Sequence, residues 1–196
     1  MLKSICVYCG ASMGKDEIHA DVARQLAQEM VNENISLVYG GAHIGLMGVI
    51  ADEMLRLGGE VTGIIPKNLL EKEVAHDSLT RLYIVKDMHE RKAMMADLAD
   101  GFIALSGGMG TLDELFETIT WGMQGLHEKP VGILNVNGFY DSLFGLISHL
   151  SEQGFVQPRY ADLLLTASEP KALLAKLRQA APSDEMESKA YARFLI

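Results

Sequence analysis

Gly101-Phe102-Ile103-Ala104-Leu105, running on into Ser106-Gly107-Gly108-Met109-Gly110-Thr111-Leu112-Asp113-Glu114, is the stretch on which the fold turns. The first five residues form a short apolar run that stops at glycines, the pattern of a buried strand ending in a tight turn. From Thr111 onward Leu112, Leu115, Phe116, Ile119 and Met123 recur at helical spacing, so a helix is expected to start at the turn. Strand, glycine turn and helix in that order build an anion site. The glycines let a ligand approach the backbone, and the first N–H groups of the helix, with its dipole, meet the negative charge. The stretch therefore reads as a phosphate cradle with two carboxylates, Asp113 and Glu114, beside it. It is not a Walker A loop, which would close on a lysine. Nor is it a dinucleotide fingerprint, because Asp113 stands where the third glycine belongs. The plainer alternative is a turn that only packs strand against helix.

At 196 residues and 48% hydrophobic, the chain can fill one core and is too short for two comfortable domains. A single nucleotide-binding α/β domain over residues 1–181 is expected, with 182–196 as a tail that stays polar until Tyr191, Phe194, Leu195 and Ile196. The formal net charge of −9, without a basic run, argues against nucleic acid or an anionic membrane surface as partner. No apolar stretch reaches the roughly 20 residues of a membrane span. Met1-Leu2-Lys3 leads into strand-like sequence without a signal-peptide pattern, so a cytoplasmic protein is expected. Cys6 and Cys9 are the only cysteines. Three residues apart on a strand they point to opposite faces, which fits buried thiols better than a redox pair or a zinc site.

Along the chain, strands are expected at Ser4–Cys9, Ile35–Tyr39, Glu60–Ile65, Leu82–Val85, Gly101–Leu105 and Pro130–Asn135. Helices are expected from about Glu17 to Asn32, up to about Leu57 after the second strand, from Asp87 as N-cap to about Ala99, and from Tyr140 to Gln153. Pro158–Leu164 and Glu169–Ala180 read as short helices. Strands alternating with helices, without hairpin signals, imply a doubly wound parallel sheet with helices on both faces. Glycine-rich turns follow the strands that end near residues 9, 39 and 105, and in such a sheet they converge where ligands bind.

Met88-His89-Glu90-Arg91-Lys92-Ala93-Met94-Met95 carries a second signal. Met88, Met95, Leu98 and Ala99 define an inward face by helical spacing, and Arg91 and Lys92 lie on or beside it. Two cations near a buried stripe need an anion or a route to water. Either they snorkel or pair with Asp87, Glu90 or the acids of the next helix, or they face the crevice and hold a phosphate or ribosyl group. On that next helix Glu114, Glu117, Thr118 and Trp121 share one face, and Asp113, Glu117 and Thr120 an adjacent one. Acids in a first turn suit the dipole in any case. A carboxylate beside a phosphate cradle would still repel the ligand unless it addressed another part of it, such as the sugar carbon that bears a base.

Gly107-Gly108-Met109-Gly110-Thr111-Leu112-Asp113-Glu114, preceded by Met88-His89-Glu90-Arg91-Lys92, resembles the paired signature of the LONELY GUY (LOG) family. These are cytokinin-activating nucleoside 5′-monophosphate phosphoribohydrolases, often labelled lysine decarboxylases. Val38-Tyr39-Gly40-Gly41, Gly45-Leu46-Met47-Gly48, Trp121-Gly122 and His127-Glu128-Lys129-Pro130 extend the likeness from about Ser4 to Ala180. The resemblance implies a Rossmann-like fold, a homodimer, and hydrolysis of the N-glycosidic bond of AMP or cytokinin riboside 5′-monophosphate to free base and ribose 5-phosphate. It implies Arg91 and Glu114 as the catalytic pair. Glu73, Lys92, Gly107, Gly108, Met109, Gly110, Thr111, Leu112, Asp113 and Thr120 would bind substrate. No cofactor and no metal are implied, and the histidines show no His-x-x-x-His ligand pattern. Ser106 departs from the family, which commonly has proline there. The rival readings are a carrier that holds a nucleotide-like cofactor without cleaving it, and a pyridoxal-phosphate decarboxylase, for which neither Lys67 nor Lys92 offers an evident Schiff-base setting. Met94, Trp121, Met123 and the apolar tail end offer the surface that a dimer would cover.

Overall fold

The structure is a computed structural model and describes residues 2–70, 75–157 and 164–182. The elements run β1 (Ser4–Tyr8), α1 (Ile18–Asn32), β2 (Ser36–Tyr39), α2 (Gly45–Arg56), β3 (Val61–Pro66) and β4 (Arg81–Val85). They continue as α3 (Met88–Leu98), β5 (Gly101–Ala104), α4 (Met109–Met123), β6 (Val131–Leu134), α5 (Asp141–Glu152), β7 (Leu164–Ala167) and α6 (Pro170–Ala180). The strands form one sheet in the order β4-β3-β2-β1-β5-β6-β7, with every pairing parallel. The chain starts in the middle, winds outward to β4, then returns to the other side of β1 and winds outward again. That reversal between β1 and β5 opens a crevice at the carboxyl ends of the strands.

Central strands read as continuous apolar runs because both of their faces are covered. Val7, Cys9, Leu26, Met30, Leu46, Ile50 and Leu173 pack on the side of α1, α2 and α6. Cys6, Phe102, Met95, Leu115 and Ile133 pack on the side of α3 and α4. The two cysteines thus lie on opposite faces as free, buried thiols. Phe102 is fully buried at the pivot of this packing, and truncating such a ring costs about 3–5 kcal/mol. The outer edge is different. On β4, Leu82, Tyr83 and Ile84 are exposed, and α5 fully buries none of its residues.

Two local expectations are corrected, and a third falls almost entirely outside the described residues. A short helix was expected over Pro158–Leu164, but residues 158–163 lie outside the described residues and Leu164 opens β7, which pairs with β6 from Val131↔Leu164 to Leu134↔Ala167. Leu164-Leu165-Thr166-Ala167 is too short for its pattern to tell strand from helix, and pairing along β6 makes it a strand. Leu98, expected inward, is 39% exposed, because α3 ends on it and the chain turns away. Finally, α4 begins at Met109 rather than Thr111, with Gly108 extended at the N-cap (φ −98°, ψ −153°). Met109 and Gly110 are therefore its first turn and not part of the loop.

Candidate active site

At the reversal between β1 and β5 the crevice encloses about 700 Å³. Its floor is the loop Cys9–Gly14, the start of α2 and the segment Ser106–Thr111; its walls carry Arg91 from α3, Asp113 and Glu114 from α4, and His19 from α1. The loops are locked by backbone. Gly10 N–H donates to the Ser106 carbonyl at 3.1 Å, and Leu46 N–H donates to the Gly10 carbonyl at 3.0 Å. Gly45 adopts φ +59° against the backbone of Ala11 and Ser12, where any side chain would collide.

Arg91 is the buried cation that helical spacing suggested. It is 4% exposed, and its Nη2 donates to the Gly40 carbonyl at 2.8 Å. A Cβ on Gly40 would run into this guanidinium, so the glycine turn after β2 serves to admit Arg91. Glu114 shares the cavity wall with it. Both charges act on the thiols below. Burial pushes Cys6 well up and the Glu114 charge pushes it further, against opposing pulls from Tyr8 and Arg91. Burial, then Glu114, likewise raises Cys9. Neither cysteine is a thiolate at neutral pH, so neither serves as a nucleophile here.

The two helices that flank the crevice end differently. Asp87 caps α3, accepting from the His89 and Glu90 N–H groups at 3.0 Å each, while Glu90 reaches back to the Lys86 N–H at 2.7 Å. The carboxyl of Asp87 is held below its usual range by the Glu90 backbone bond, against some desolvation, and by the His89 bond. At α4, Gly108 supplies no capping side chain, and this bare end faces the cavity through Gly108, Gly110 and Thr111. Thr111 is buried and Met109 is 83% exposed.

The remaining residues suggested by sequence scatter. Lys92 is not on the cavity wall; its Nζ bridges Asp113 at 2.9 Å and Glu117 at 3.1 Å, the pairing with the next helix that was one of its two expected fates. Burial pulls the Lys92 ammonium down, but its hydrogen bonds to Asp113 and Glu117 outweigh that and leave it raised. Asp113 is therefore shared between Lys92 and the cavity. Gly107 lines the floor. Leu112 is half-buried away from the cavity, and Thr120 is exposed with its hydroxyl donating to the Phe116 carbonyl at 2.7 Å. Glu73 lies outside the described residues. His76 donates its backbone N–H to the Gly41 carbonyl at 3.0 Å, and its Nε2 meets Asp52 at 2.9 Å. Sequence reasoning missed His19 and Phe139, which also line the cavity. Among the described residues no group of three or more His, Cys, Asp or Glu side chains is placed to hold a metal ion, and no helix is long and apolar enough to cross a membrane.

The family model described as "Possible lysine decarboxylase" matches residues 47–177. Cytokinin riboside 5′-monophosphate phosphoribohydrolase LOG3 of Arabidopsis thaliana is 46% identical over 183 residues, which cover 93% of this chain and 85% of that one. A probable cytokinin riboside 5′-monophosphate phosphoribohydrolase of Oryza sativa subsp. japonica, LOGL2, is 44% identical over 93% of this chain and 75% of its own. Among solved structures, the molybdenum cofactor binding protein of Rippkaea orientalis superposes with a TM-score of 0.68 at 21% identity, covering 91% of this chain and 97% of that one. The Moco carrier protein of Chlamydomonas reinhardtii gives 0.67 at 17% identity, covering 92% and 98%. These structures share the α/β fold. The chain belongs to the LOG family.

Proposed function

From that membership we propose that the chain is a nucleoside 5′-monophosphate phosphoribohydrolase, acting on AMP or a cytokinin riboside 5′-monophosphate. The observation that carries the reading is that Glu114 and the buried Arg91 both line a cavity that also takes in the uncapped end of α4. The 5′-phosphate binds at that end, where backbone N–H groups and the dipole favour an anion. As the C1′–N bond breaks, its electron pair leaves with the base and positive charge builds on the sugar. Glu114 stabilises that charge and takes a proton from the water whose oxygen attacks C1′. Arg91, held by Gly40, positions the ribosyl phosphate. Phosphate binding remote from the reacting carbon supplies energy for orientation.

A pure carrier of a phosphorylated cofactor gains nothing from an acid at position 114. A pyridoxal-phosphate enzyme needs a lysine free to form a Schiff base, whereas Lys92 is clamped by two carboxylates. The chain works in the cytoplasm as a homodimer in this reading. Leu82, Tyr83 and Ile84, consecutive and exposed on the edge strand β4, are surface a partner could cover, whereas Met94, Trp121 and Met123 are half-buried against the core. Light scattering is expected to give about twice the 21.4 kDa chain mass. The activity is tested by incubating the protein with AMP and with adenosine. Adenine and ribose 5-phosphate are expected from AMP, with adenosine barely cleaved; comparable kcat/KM for the two substrates would overturn the phosphate site.

A further inference from the structure

Lys92, the cation that sequence spacing offered to the phosphate, does not line the cavity and is occupied by Asp113 and Glu117. The wall itself carries three acids, Asp16, Asp113 and Glu114, against Lys15, Arg91 and one imidazole, His19. His19 stands in the first turn of α1, yet its Nδ1 meets the Ser106 hydroxyl at 2.8 Å, across 87 residues of chain. Ser106 is 5% exposed and directly precedes the Gly107-Gly108 cradle. The ring also meets Phe139 in a T-shaped pair with centroids 5.5 Å apart, and a side chain at Gly14 would run into it. An imidazole held this firmly at the mouth of an anion cradle is a built feature of the site.

We infer that His19 is a further binding residue for the substrate's phosphate end, donating from Nε2, and that Ser106 is the positioning residue that sets its ring. With the Ser106 hydroxyl donating to Nδ1, the ring proton resides on Nε2. An anion in the cavity favours this tautomer over the other. The inference rests on the phosphate placement proposed above.

The test measures calorimetric binding of ribose 5-phosphate and of ribose to the full chain. Wild type is expected to prefer ribose 5-phosphate strongly. His19→Asn keeps a group for Ser106 but deletes Nε2, so its Kd for ribose 5-phosphate should rise about tenfold or more, the scale of a lost hydrogen bond to a charged group. His19→Gln, which returns a neutral donor near the Nε2 position, should fall between the two. Ser106→Ala should raise Kd about threefold in the wild-type background and have no further effect in His19→Asn, because it acts through the ring. A melting curve for each variant confirms that it is folded. Should His19→Asn and His19→Gln both bind ribose 5-phosphate as tightly as wild type, the role of His19 is overturned while the phosphate site stands. A wild type that does not distinguish ribose 5-phosphate from ribose overturns the phosphate placement itself, and this inference with it.

Discussion

Helices α3 and α4 both start beside the same crevice, and their first turns have opposite chemistry. The α3 turn closes on itself, since Asp87 accepts two of its amides and Glu90 reaches back to the preceding one. The α4 turn starts at a glycine and meets the cavity without a capping side chain. A helix that satisfies its own N-terminus is a structural part, useful here for presenting Arg91 at a fixed height. A helix left bare lends its dipole and amides to a ligand. The same division separates the two acids. Asp87 works for its helix, whereas Glu114, one turn further along α4, faces the cavity.

The sharpest test of that division is Glu114→Gln, which keeps shape and removes charge. It should lower kcat by about 10²-fold or more, the scale of a lost general base, while AMP binding survives. A variant with near-normal turnover and a lowered melting temperature would put Glu114 in the same class as Asp87. Next, Gly108→Asp would give α4 the cap that α3 has. A Cβ at Gly108 meets nothing within 4 Å, so the variant should fold. Its carboxylate would occupy the amides meant for the phosphate, and KM for AMP should rise about tenfold, equivalent to about 1.4 kcal/mol, with Tm equal or higher. Unchanged KM would mean that the phosphate sits elsewhere. The converse variant, Asp87→Ala, should lower Tm with a smaller effect on turnover of the folded protein; a loss of activity without a loss of Tm would break the comparison.

The smallest expected effect concerns the far end of α4, which is held where its beginning is bare. His127 Nε2–H donates to the Thr118 carbonyl at 2.9 Å and Nδ1 accepts from the Lys129 N–H at 3.1 Å, a pair of bonds that only the neutral ring makes. Burial lowers His127 below its usual value. The unfolded chain therefore binds the proton first, at about pH 6.5, and stability is full above that pH and falls as the solution is acidified through it. Tm should decline between pH 7.5 and 5.5, and His127→Gln should flatten the decline. A slope unaffected by the substitution would assign it to another group.

Much of this was legible in residue order. Apolar runs ended by glycine located β1, β2 and β5 to within a residue, and the crevice followed from alternation of strand and helix. Helical spacing put Arg91 and Lys92 near one face. The 100° step between them, which buries one and sends the other to Asp113 and Glu117, depends on where α4 lies and has no local signature. The contact of His19 with Ser106 was invisible for the same reason. It joins the first turn of α1 to the loop after β5, which only the sheet order brings together. Likewise β7 exists because β6 offers an edge, not because Leu164-Leu165-Thr166-Ala167 prefers to be a strand.

The position of β1 also has a consequence in time. It precedes the other six strands in the chain, yet it lies in the interior of the sheet between β2 and β5. Asp100 completes its start, accepting from the Lys3 and Ser4 N–H groups at 2.7 and 3.0 Å across nearly a hundred residues. Until residues 101–104 emerge, a growing chain can pair β1 on one side only, and its other edge stands open to any passing strand. Pairing at such long sequence separation is slow, because loop closure precedes its reward. Arg91 is made before that seam closes and Glu114 after it. A ribosome-bound chain that stops short of α4 therefore carries Arg91 but lacks the wall that bears Asp113 and Glu114.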